Sequence, residues 1–161
     1  MKIALLFYKK CKGIVQPVDY INWAAYMLKK DVSSPSLGIL ASLYEPYNIF
    51  EVEDYFLRAC KELCLQAPIY EECVKAYMYE LLKKILHNNE EIFKIADELY
   101  LIICEHFSHE ELSIWFDISE KADDFRYGDN TSQITKEKIQ QMIVEAARHI
   151  LESNFFGEYT G

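Results

Sequence analysis

The stretch Asn48-Ile49-Phe50-Glu51-Val52-Glu53-Asp54-Tyr55-Phe56-Leu57-Arg58-Ala59-Cys60-Lys61-Glu62-Leu63-Cys64-Leu65 decides the fold class. Asn48 followed three residues later by Glu51 is a capping-box pattern, in which side chains satisfy the backbone N–H groups that a helix start leaves open. Beyond it, Ile49, Val52, Phe56, Ala59, Leu63 and Cys64 recur at the three- and four-residue steps of a helix, not at the two-residue step of a strand. The pattern predicts a helix that stops near Leu65, ahead of Pro68.

The same signals repeat on both sides. Asp19 is read as the cap of a helix reaching about Lys30, with Ile21, Ala24, Ala25 and Leu28 inward. Ser34 and Pro35 read as an N-cap with proline at the first helical position, opening a helix with Leu37, Leu40, Ala41 and Tyr44 inward and Pro46 as its end. Further helices are expected over Ile69–Leu86, with a break at Asn88 and Asn89, and over Glu90–Phe107. Ser108 with Glu111 is a second capping box, opening a helix that holds Leu112, Trp115 and Phe116; a separate short helix then ends near Tyr127, with Gly128 as its C-cap. Thr135 caps a last long helix carrying Ile139, Met142, Ile143, Ala146 and Ile150. The fold class is all-α: a single-domain multi-helix bundle or short helical array of about seven to eight helices over residues 1–161, with 153–161 an irregular tail. Ile3–Tyr8 fits a strand as well as a helix.

Composition agrees. Five glycines and four prolines are too few for the tight turns of a sandwich or barrel. Apolar residues make up 51% of the chain against 27% charged, which supplies a core without a metal or other cofactor. The apolar run Ile3–Tyr8 is too short for a signal-peptide core, and no later stretch reaches the length of a membrane span, so a cytoplasmic location and no membrane partner are expected. Cys11, Cys60, Cys64, Cys73 and Cys104 are odd in number and lie in apolar stretches, which points to reduced core thiols. The net charge of −9 is unevenly spread: residues 1–30 hold six lysines and one acid, while the remainder holds 11 basic and 25 acidic residues. Such an acidic body repels nucleic acid and steers a basic macromolecule toward itself, although acidity also serves plain solubility.

No catalytic constellation stands out. His106 and His109 share an H-x-x-H spacing, but Ser108 opens a new helix between them and turns the rings apart. H-E-x-x-H and E-x-x-H are absent, and the glycines are isolated, so backbone phosphate cradles are missing too. Cys60 and Cys64 are one turn apart on an apolar stripe, unlike a C-x-x-C at an exposed helix start. The pairs Glu71-Glu72, Glu90-Glu91 and Glu110-Glu111 sit in first turns, where acids oppose the helix dipole.

Residues 117–129 differ. Asp117, Glu120, Asp123, Asp124 and Asp129 interleave with Trp115, Phe116, Phe125 and Tyr127, and only Lys121 and Arg126 offset the charge. Acids around exposed aromatics make a docking surface; aromatics turned inward would leave only a solvated acidic face. Asp117, Glu120, Asp123, Asp124, Tyr127 and Asp129 are therefore the candidate partner-binding residues.

Small size, an acidic helical body and no active site resemble the immunity proteins of bacterial polymorphic and contact-dependent toxin systems. Ser36-Leu37-Gly38-Ile39-Leu40-Ala41-Ser42-Leu43, followed by Phe50-Glu51-Val52, is similar to a family of bacterial helical proteins associated with such toxin loci, over about Trp23 to Leu63. The resemblance implies a non-enzymatic protein that binds a cognate toxin, often a basic nuclease, and blocks it through surface acids and aromatics. Two other readings stay open. Ile49-Phe50-Glu51-Val52-Glu53-Asp54 and Ile92-Phe93-Lys94-Ile95-Ala96-Asp97 lie 43 residues apart, a period that suits a helical-repeat scaffold. An enzyme with an unfamiliar site would need a deep pocket holding His106, His109 and nearby acids.

Overall fold

The computed structural model describes residues 2–87, 91–107, 112–130 and 133–160. Within them are eight α-helices and no strand: α1 Ile3–Cys11, α2 Pro17–Leu28, α3 Pro35–Ser42, α4 Ile49–Glu62, α5 Tyr70–His87, α6 Ile92–His106, α7 Ile114–Tyr127 and α8 Lys136–Glu152. No helix among these residues is long and apolar enough to cross a membrane. The chain forms two compact units, Met1–Ala76 and Tyr77–Gly161, with the boundary inside α5.

The first unit is built by α1 to α4 with the start of α5. Ile3–Tyr8, ambiguous in sequence, lies in α1, with Ala4, Leu5, Leu6 and Tyr8 buried. Asp19 does not cap α2 as predicted. Gln16 is the N-cap, Pro17 takes the first helical position, and the Asp19 carboxylate reaches back to accept from the Gln16 N–H at 2.9 Å. Asp19 is thus the distal half of a capping box, and it also receives Lys9 Nζ at 2.6 Å. The inward face of α2 is correspondingly rotated: Tyr20, Trp23 and Ala24 are buried, while Ile21 and Ala25 are half-buried and Leu28 is exposed. The two aromatics carry more apolar area than Ile21 or Leu28, so the core takes that side of the helix.

Ser34 caps α3 as its sequence implies, accepting from the Leu37 N–H. Tyr44 lies beyond the helix end and is 85% exposed, because Leu43 is already extended. Asn48 caps α4 through the Phe50 N–H at 3.0 Å. The α4 stripe is buried at Val52, Phe56 and Ala59, with Ile49 and Leu63 half-buried. Phe56 is the hub: its ring meets Trp23 edge-on at 4.9 Å, Tyr20 at 5.1 Å and Phe7 at 6.0 Å. Glu62, at the end of α4, closes the start of α3 by accepting from the Ser36 hydroxyl at 2.5 Å and the Ser36 N–H at 3.0 Å.

The expectation of core thiols fails for three cysteines. Cys11, Cys64 and Cys104 are exposed and Cys60 is half-buried; only Cys73 is buried, and all five are free. Cys64 lies past the end of α4 at φ 51°, where the chain leaves the helix and the apolar stripe no longer applies. Burial pushes the Cys60 and Cys73 thiols up to about 11, which keeps them protonated.

In the second unit α6, α7 and α8 touch pairwise, and the tail folds onto α8. Ile92, Ile95, Leu99, Ile102 and Ile103 of α6 are buried, as are Ile139, Ile143, Ala146, Ala147 and Ile150 of α8. Thr135 caps α8 by accepting from the Lys138 N–H. The tail is not irregular: Asn154–Thr160 is 3-10 helix broken at Gly157, and buried Phe156 meets Tyr79 edge-on at 5.4 Å. An aromatic anchor gives this short segment a reason to order. The two segments 43 residues apart both begin helices, α4 and α6, with Val52 and Ile95 at the matching buried position. The break predicted at Asn88 and Asn89, and the capping pair Ser108 and Glu111, lie outside the described residues.

Candidate protein-interaction face

One helix, not two, spans the acidic aromatic segment. No glycine or proline interrupts 114–127, and Trp115, Ile118 and Ala122 are buried at steps of three and four, so α7 runs unbroken to Tyr127. Gly128 is its C-cap, as the sequence suggests, but for reasons of space. Its φ of −96° suits any residue, whereas a Cβ there would stand 2.5 Å from Asp124 Oδ1 and 2.9 Å from the Asp124 carbonyl oxygen.

This single helix sorts the six candidates. Asp117 is half-buried and paired with Lys121 one turn on, so its charge is locally compensated. Asp124 is half-buried beneath Gly128, and Asp129 is exposed beyond the helix. Glu120, Asp123 and Tyr127 are exposed on one side of α7, Tyr127 to 82%. Phe116 joins them at 47% exposure. Of the other aromatics, Trp115 is buried and Phe125 half-buried, so the predicted ring of exposed aromatics reduces to Phe116 and Tyr127.

Two contacts invisible in the sequence fix this face. Arg126 closes its guanidinium fork on Asp97 of α6, with both N–H···O distances 2.9 Å, and lies 5.4 Å from the centre of the Phe93 ring. The bond to Asp97 raises the Arg126 pKa, so this cation stays charged and in place. Asp123 is 4.0 Å from Arg126 and competes poorly for a fork already occupied. Tyr100 of α6 meets Phe116 edge-on at 5.4 Å and holds that ring against the surface. Its own pKa is raised by the hydrogen bond to Cys104 first, with Asp123 among the lesser causes. Glu120 has no hydrogen bond or ion pair among the described residues.

Beside this face, Phe93, Phe125, Arg126 and Lys136 line a shallow apolar groove of 290 Å³. A second shallow groove of 370 Å³ lies along Gln140, Gln141, Val144, Glu145 and Arg148 of α8. Neither gathers histidines with acids. His106 is half-buried with Glu105 3.4 Å away, and His109 lies outside the described residues. Among the described residues no three His, Cys, Asp or Glu side chains converge as metal donors.

The charge divides along the same line as the fold. Met1–Ala76 holds nine basic and nine acidic residues, whereas Tyr77–Gly161 holds eight basic and seventeen acidic, so the whole net charge of −9 belongs to the unit that carries α7. Fold and face together define an all-α protein presenting an acidic helix face with an aromatic at either end. No protein-family model matches the chain, and neither a curated protein nor a solved structure does.

Proposed function

We propose that this is an immunity-type protein of the cytoplasm that binds and neutralises a cognate toxin domain, a basic nuclease being the best fit, with α7 as the docking face and no catalysis of its own. The observation that carries the reading is a pair of exposed acids set between exposed aromatics, Glu120 having no partner among the described residues and Asp123 lying 4.0 Å from an Arg126 already held by Asp97. Glu120 and Asp123 stand exposed between Phe116 and Tyr127 on a helix pinned by Arg126 to Asp97. Aromatic anchors on rigid elements govern residence time, while acids at the surface govern encounter. The resemblance of residues 23–63 to toxin-associated helical proteins points the same way.

The test is co-expression with the toxin-like product of the neighbouring gene, comparing the wild type with Glu120→Lys plus Asp123→Lys. Wild type protects the cell and forms a complex whose association slows as salt rises, since screening beyond about 8 Å removes the long-range attraction at physiological ionic strength. The double variant associates more slowly and loses much of that salt dependence. A complex with unchanged association kinetics would move the docking site off α7, and absence of any complex or protection would end the immunity reading.

A further inference from the structure

Phe116, Glu120, Asp123 and Tyr127 are spaced four, three and four residues apart, and all four are exposed. This is the spacing of a two-helix coiled-coil seam, whose period of 3.5 residues keeps one stripe facing a partner helix, with acids at the two central positions where such a seam is usually apolar. Ser113, three residues ahead of Phe116 and also exposed, continues the alternation at the N-cap. The core side of α7, at Trp115, Ile118 and Ala122, is already packed, so the seam is a second face of the same helix.

We infer that α7 docks one α-helix of a protein partner, a cationic amphipathic helix with Lys or Arg at two central seam positions and apolar residues at the outer two. The inference rests on the docking reading above and names the chemistry that fits it. Charge selects the cations. Glu120 has no partner among the described residues, and Arg126, 4.0 Å from Asp123, is committed to Asp97 at 2.9 Å. Two carboxylates at seam positions are costly against an apolar helix and favourable against opposed cations.

Spacing selects the helix. Glu120 and Asp123 are separated by about 4.5 Å of helix rise, and the four seam residues span about 16 Å, steps that a second helix matches. Side chains on one face of a strand recur at about 6.6 Å and fall out of step after one residue. A second copy of this chain is disfavoured by the same charges, because parallel or antiparallel pairing sets carboxylate against carboxylate. Nucleic acid is repelled by them.

The experiment uses the full chain and three lactam-stapled helical peptides of equal length. The first carries Leu, Arg, Arg and Leu at the four-three-four spacing; the second has the same composition shuffled off that spacing; the third has Glu in place of Arg. Binding is read by fluorescence anisotropy and by backbone amide chemical shifts. The matched peptide should bind about tenfold or more tightly than the shuffled and acidic ones, with shifts confined to α7 and its neighbours on α6. Glu120→Lys plus Asp123→Lys should invert the preference toward the acidic peptide, and Tyr127→Ala should weaken binding without altering charge preference. Equal binding of matched and shuffled peptides, shifts elsewhere, no inversion, or self-association through α7 would each overturn the inference. Matched binding that survives while no toxin is neutralised would retain the helix partner and reject only the immunity reading.

Discussion

Phe56 and Leu57 are neighbours in sequence with opposite roles, 1% and 56% exposed. Phe56 touches three aromatic rings, so Phe56→Ala should cost about 3–5 kcal/mol, against about 0.5 kcal/mol or less for Leu57→Ala, measured by urea unfolding. Equal losses would mean that the α4 stripe is misassigned. Glu53 supplies a pH signature. Its carboxylate accepts from the buried Tyr20 hydroxyl at 2.6 Å and lies 3.3 Å from Lys10 Nζ. The Tyr20 bond, aided by Lys10, holds its pKa below the usual glutamate value in spite of partial desolvation, while burial first, and then the same contact, raises that of Tyr20. A depressed folded-state pKa means that the unfolded chain binds more protons on the acid side. The stabilisation is therefore full above the ordinary glutamate pKa and is lost as pH falls through the folded value. Glu53→Gln should flatten the fall of stability between about pH 5 and pH 3 in denaturant titrations, and an unchanged acid limb would discount the Tyr20 contact.

At the scale of the element, two glycines make opposite predictions. Gly38 sits inside α3 with nothing within 4 Å of where a Cβ would stand, so Gly38→Ala should stabilise by about 0.5–1 kcal/mol through helix propensity. Gly128 has a Cβ position 2.5 Å from Asp124 Oδ1 and 2.9 Å from a backbone oxygen, so Gly128→Ala should destabilise and fray the last turn of α7. Melting temperatures of the two variants should move in opposite directions; a shift in the same sense for both would contradict the α7 terminus described. The α7 cap bears on the proposed docking face, since Tyr127 is the last residue of that helix.

At the scale of the molecule, charge and fold are distributed together. Met1–Ala76 is neutral overall, and its lysines are partly consumed internally, Lys9 by Asp19 and Lys10 by Glu53. The second unit keeps nine more acids than bases, and its cations Lys121 and Arg126 are engaged by Asp117 and Asp97. What reaches solvent on α7 is therefore net acid, so the association with a cationic helix proposed above should weaken as salt rises.

Much of this was legible in the sequence alone. Caps at Ser34, Asn48 and Thr135, the α4 stripe and the all-helical class follow from local hydrogen bonding and from a 3.6-residue period, both properties of neighbouring residues. The acidic character of the segment around α7 was equally plain, because net charge needs no fold. Which side of each helix faces inward was less so: at α2 the competing stripes differ by one residue, and only packing of Tyr20 and Trp23 against Phe56 decides between them. The merging of two predicted helices into α7 likewise rests on its buried face at Trp115, Ile118 and Ala122. Asp97 and Arg126 are 29 residues apart, and Tyr20 and Glu53 are 33 apart. No local rule links them, so which acids are paired within the chain and which stay exposed was decided by the tertiary structure, where groups distant in the chain come within bonding range.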